Sequence, residues 1–137
     1  MILLVCGASD MARRMLAEKF VREQEGWKHL PLERVHQLME REVESDDPTL
    51  FLRVACHCAR ELAEDGTHVI LSHPEATEHV ALLREELEPG FTAFHLGPID
   101  EEGADPDIEE AFDYLIDSRQ HSVNDAFELI VGVLAQR

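Results

Sequence analysis

The chain has 137 residues, 45% of them hydrophobic and 30% charged, which suits one globular domain spanning 1–137 and excludes a disordered or collagen-like chain. Twelve basic against 29 acidic side chains give a formal charge of −17, which repels polyanions and argues against nucleic acid or an anionic membrane surface as a partner. No apolar run approaches the length of a membrane span, and the opening Met1-Ile2-Leu3-Leu4-Val5-Cys6 is too short and uncharged for a signal peptide, so a cytoplasmic location is expected.

Ile2 to Cys6 is a continuous apolar run of the kind buried on both faces of a parallel sheet, and it ends at Gly7. From Asp10 the period becomes helical, with Met11, Ala12, Met15, Leu16 and Phe20 on one stripe and Arg13, Arg14, Glu18 and Arg22 beside it. Trp27 to Leu32 reads as a second strand, followed by a helix through Val35, Leu38 and Met39 that loses its pattern in the acidic stretch from Glu40 to Asp47. Asp47-Pro48 reads as N-cap and first-turn proline of a helix that buries Phe51, Val54, Ala55, Cys58 and Leu62 and ends at Gly66. Thr67 to Ser72 is a third strand closed by His73-Pro74, and Val80, Leu83 and Leu87 mark the helix before Pro89-Gly90. Phe91 to Leu96 and Phe112 to Ile116 are two more strands, and Ser122 with Asp125 forms a capping-box start for a closing helix on Val123, Phe127, Ile130 and Leu134.

Strands alternating with helices imply right-handed crossovers and an α/β fold of three layers, with a five-stranded, mainly parallel sheet covered on both faces and strand one at its centre. Ligands of such sheets bind beyond the carboxyl ends of the strands. The informative stretches are therefore Gly7 to Arg14, Pro31 to His36, Ser72 to Glu75, Gly97 to Pro106 and Asp117 to His121.

A phosphate-binding loop needs glycines where the backbone turns tightly against phosphate, a lysine for the outer phosphates and a hydroxyl for magnesium. Against G-x-x-x-x-G-K-[ST], the run Gly7-Ala8-Ser9-Asp10-Met11-Ala12-Arg13-Arg14 keeps Gly7 alone, with Ala12 for the second glycine, Arg13 for the lysine and Arg14 for the hydroxyl residue. The surroundings nevertheless resemble the P-loop nucleotide kinase superfamily, most closely its adenylylsulfate kinase-like branch. His29-Leu30-Pro31-Leu32-Glu33-Arg34-Val35-His36 is similar to that family's substrate-binding segment after strand two, with Glu33 where the family has an acid and His36 where it has an arginine. Ala63-Glu64-Asp65-Gly66, then Thr67 to Ser72 and His73-Pro74, looks like its helix, glycine turn and third strand; Phe112 to Asp117 and the helix after Ser122 look like its C-terminal end.

The resemblance implies ATP, magnesium and phosphoryl transfer, catalysed by a loop lysine, the metal and lid arginines. The chain departs from each. Arg14 does not ligate magnesium as a hydroxyl would, and Asp10 adds an anion to a helix N-terminus that should attract one. The lid would fall in Gly97 to Asp113, which carries eight acidic residues and no Lys or Arg. The expectation is therefore a degenerate kinase-like protein without phosphoryl transfer, acting by binding a partner protein or a small ligand such as an anion, with a homodimer open. The alternative is an active small-molecule or nucleotide kinase with an arginine in its phosphate loop, and only that alternative calls for ATP and magnesium. Asp10 is expected to cap the first helix, Arg13 and Arg14 to form its solvated edge, and Gly97 to Asp113 to be a solvated loop. Glu33, His36, Ser72 and His73 are the substrate-side candidates, with Glu33 and His36 read by default as helix-start and surface residues.

Metal binding and hydrolysis draw little support. His73, Glu75 and His79 form the best ligand cluster, but neither H-x-x-x-H nor H-E-x-x-H occurs, and Cys56, His57 and Cys58 project from different helix faces. Ser9 and Ser72 follow strands without a G-x-S-x-G elbow. Three cysteines exclude a complete disulfide framework and are expected to act as small buried hydrophobes.

Overall fold

In β1 (Ile2–Gly7) the side chains alternate between two cores, as the period of two in a strand requires. Ile2, Leu4 and Cys6 enter one core, and Leu3 and Val5 enter the other. A computed structural model describes residues 1–137 except 8, 43, 45, 75, 76, 100, 101 and 137. β1 is followed by α1 (Asp10–Glu23), β2 (Trp27–Pro31), α2 (Leu32–Glu42), α3 (Leu50–Glu64), β3 (His68–His73), α4 (Val80–Leu87), β4 (Phe91–Gly97), α5 (Pro106–Ala111), β5 (Tyr114–Asp117) and α6 (Val123–Ala135). The sheet order is β2-β3-β1-β4-β5 with every pairing parallel, so β1 is central and the five strands expected from the sequence are present.

The two cores define the layers. One is built by Phe51, Leu52, Ala55, Cys56 and Ala59 of α3 with Val80, Leu83 and Leu87 of α4. The other joins Leu16, Ala17 and Phe20 of α1 to Ala126, Phe127 and Ile130 of α6. Phe20 ties this second face together, with its ring centroid 5.1 Å from that of Trp27 and 4.9 Å from that of Phe127. Among the described residues, no helix is long and apolar enough to cross a membrane.

Several local expectations are corrected. On α1 the buried face is Arg13, Leu16, Ala17 and Phe20, while Met11 and Met15 are exposed; the helix lies rotated so that Arg13, not Met11, meets the sheet end. The third helix begins at Leu50, with Thr49 at the N-cap position, because Asp47 accepts from Thr49 N and Oγ1 and holds a turn ahead of it. Its buried face carries Cys56 rather than Cys58, which is exposed. Burial pushes the Cys56 thiol up to about 11, leaving it protonated and inert. Between β4 and β5 the acidic stretch is not wholly loop: Asp105 caps α5 by accepting from Asp107 N, and Pro106 supplies its first turn. The last strand also begins later than expected, at Tyr114.

Candidate functional site at the carboxyl ends of β1 to β3

Gly7 leaves β1 at φ +80, and a Cβ there would collide with Leu96 O, so the turn requires glycine for both conformation and space. The chain then enters α1 almost at once. Ser9, not Asp10, is the N-cap: its side chain accepts from Ala12 N at 3.1 Å. Ser9 and Asp10 are both good capping types in adjacent positions, and the backbone places the first helical residue at Asp10. Asp10 instead pairs its exposed carboxylate with the Arg13 guanidinium. Arg13 is the second correction: it is only 3% exposed and donates through Nη1 to Gly7 O at 2.8 Å. The residue at the lysine position is thus turned back onto its own turn and its own helix, a geometry that joins Gly7, Asp10 and Arg13 into one closed unit.

Beside this unit lies a cavity of about 450 Å3, walled by Asp10, Arg13, Arg14 and Glu18 of α1, by His29 and Pro31 of β2, by Glu33, Arg34 and Gln37 of α2, and by Ser72 of β3. Alternation explains the convergence: His29 shares a face of β2 with Trp27, Ser72 shares a face of β3 with Ile70, and both belong to the face that α1 covers. His29 Nε2 and Ser72 Oγ are 2.7 Å apart. Burial pushes the His29 imidazole below its ordinary value, against the upward pull of Glu33 and Glu18. One Glu33 carboxylate oxygen, Oε2, is buried with no hydrogen-bond partner among the described residues. Arg14 and Arg34 form no salt bridge among the described residues.

The residues picked out from the sequence therefore divide. Asp10, Arg13, Arg14, Glu33 and Ser72 meet at one cavity, whereas Gly7, Ser9 and Ala12 form the turn and helix cap beside it. His36 and His73 line a neighbouring cavity of about 560 Å3 instead, in which His36 is half-buried and stacks on Phe51 at 4.2 Å. His73 and His79 meet edge to face at 6.3 Å there; Glu75, their suggested companion, lies outside the described residues. A third cavity, of about 1020 Å3, sits between α4 and α5 with Glu78, Glu85, Glu88, Asp107 and Glu110 around Arg84. His29 opens the segment singled out after strand two but was not among the candidate site residues; its added signal was its position two residues before the end of a strand.

The strand order and the all-parallel pairing match the P-loop kinase fold. Three solved structures match nearly the whole chain, each with a TM-score of 0.67. A tunicamycin resistance protein of Deinococcus radiodurans is 16% identical, with 97% of this chain and 94% of that chain covered. A sugar kinase of a Janibacter species is 17% identical, covering 98% and 94%. The APS kinase of Mycobacterium tuberculosis is 18% identical, covering 98% and 96%. No family model matches the chain, and no curated protein matches its sequence.

Proposed function

We propose that this chain is a P-loop-kinase-fold protein that does not transfer phosphoryl groups and that works by binding a small organic anion in the cavity between α1, α2 and the ends of β2 and β3. The observation that carries this reading is Arg13, buried and held through its two terminal nitrogens by Gly7 O and Asp10, so that the cation aligned with the phosphate-loop lysine is already paired from within. Ser9 Oγ takes the Ala12 amide, one of the orphan N–H groups that a phosphate would otherwise use. Arg14 and Arg34 remain to attract an anion into the cavity. The acidic rim around Arg84 on α4 and α5 and the charge of −17 act against a triphosphate.

The test is a pair of assays on the purified chain. Magnesium-dependent ATP turnover is expected to be absent, whereas citrate or sulfate should raise the melting temperature and lose that effect in Arg14→Ala and Arg34→Ala. Turnover that tracks the protein and vanishes in Arg13→Ala would establish the active kinase instead.

A further inference from the structure

Ser72 and His29 lie 43 residues apart in the chain and have no shared motif, yet they meet at 2.7 Å on the wall of a cavity. Ser72 is only 3% exposed and lines that cavity. With the ring protonated on Nδ1, the Ser72 hydroxyl donates to Nε2, the geometry by which an imidazole withdraws a proton from a serine nucleophile. Burial lowers the His29 pKa and keeps the ring neutral, able to accept a proton, while the Glu33 and Glu18 charges partly offset that burial for the imidazolium formed when the proton moves. Arg14 and Arg34 stand on the same walls, where they can hold an anionic group.

We propose that Ser72 and His29 form a nucleophile–base pair that hydrolyses small carboxylic esters carrying an anionic group. Ser72 Oγ bonds to the ester carbonyl carbon as its proton passes to His29 Nε2. The carbon–oxygen bond to the alcohol breaks, and His29 returns the proton to the departing oxygen. Water then attacks the acyl-serine, giving its proton to His29, and Ser72 Oγ recovers a proton as the acid leaves. No oxidant or metal enters the balance. The proposal shares the cavity with the anion-binding reading and rests on its accessibility to an anion, but not on the loss of nucleotide binding.

The experiment treats the whole chain with a fluorophosphonate probe and, separately, with 4-nitrophenyl hemisuccinate. Peptide mapping of the labelled wild type should place the adduct on Ser72, a result that needs no variant. Ser72→Ala should abolish labelling and nitrophenol release, and His29→Gln, with an unchanged melting temperature, should slow both by about 100-fold or more. An adduct on another residue, no adduct at all, or wild-type rates in His29→Gln overturns the pair. Citrate stabilisation is measured in parallel: if it persists without labelling, the nucleophile is wrong and the binding reading stands, whereas labelling without stabilisation removes the binding reading alone.

Discussion

The two walls of the cavity are built on opposite principles. On the α1 wall the polar groups bond mainly to one another: Ser9 takes the Ala12 amide, and the terminal nitrogens of Arg13 reach Gly7 O and Asp10. On the β2–α2–β3 wall Ser72 meets His29 on the cavity surface, and Glu33 Oε2 is buried without a hydrogen-bond partner among the described residues. A closed network stabilises the fold and has little left for a ligand, whereas groups that face a cavity cost stability and gain only when something binds. The difference separates a wall that holds the structure from a wall that can recognise something.

The strongest way to break the closed wall is Gly7→Ala. A Cβ would need Leu96 O to move, at a φ that L side chains rarely adopt, and we expect a loss of about 3 kcal/mol by chemical denaturation. Ser9→Ala comes next, at about 1 kcal/mol, with Ser9→Gly costing only a few tenths because glycine is tolerated at an N-cap. Equal, negligible effects for both would return the capping role to Asp10. Arg14→Ala, on the open side, should change stability by less than about 0.5 kcal/mol while weakening anion binding, which reverses the pattern seen at Ser9.

Two half-buried histidines, His29 on the open wall and His95 on β4, should also be visible in the pH dependence of stability. Burial holds His29 and His95 below their ordinary value of 6.5. As pH falls below that value the unfolded chain takes up protons before the folded one does, so stability is full above it and declines towards the lowered folded values. Denaturation midpoints measured from pH 7.5 to 5 should fall, and His29→Gln should flatten part of that slope. A midpoint that rises with acidification would contradict the assigned burial.

How far the sequence carried this picture follows from what periodicity encodes. The alternation of short apolar runs with helical stripes was enough for five strands, β1 in the centre and helices on both faces, because the inner strands β1, β3 and β4 bury both of their sides. It misplaced Arg13 and Met11, since a polar/apolar pattern assigns a guanidinium to solvent and a thioether to the core, whereas Arg13 has two acceptors waiting at the sheet end. It chose Asp10 over Ser9 because two capping types stood side by side and only the backbone decides between them. The α5 turn was hidden by its acidic composition, although Asp105-Pro106 is itself a capping signal. His29 and Ser72 come together through the parallel register of β2 and β3, information that no local window contains.

The central claim is that Asp10 and Arg13 occupy each other where a nucleotide would need them. Calorimetric titration of magnesium ATP into the wild type and into Asp10→Asn tests it directly, since the asparagine frees the Arg13 charge while keeping the side chain's shape. No heat of binding to the wild type, with weak binding appearing in Asp10→Asn, is the predicted result; a ligand at 100 times its Kd would also stabilise the fold by about 2.7 kcal/mol, which gives the melting curve as a second reading. Wild-type binding as tight as that of Asp10→Asn would contradict the account at its central pair.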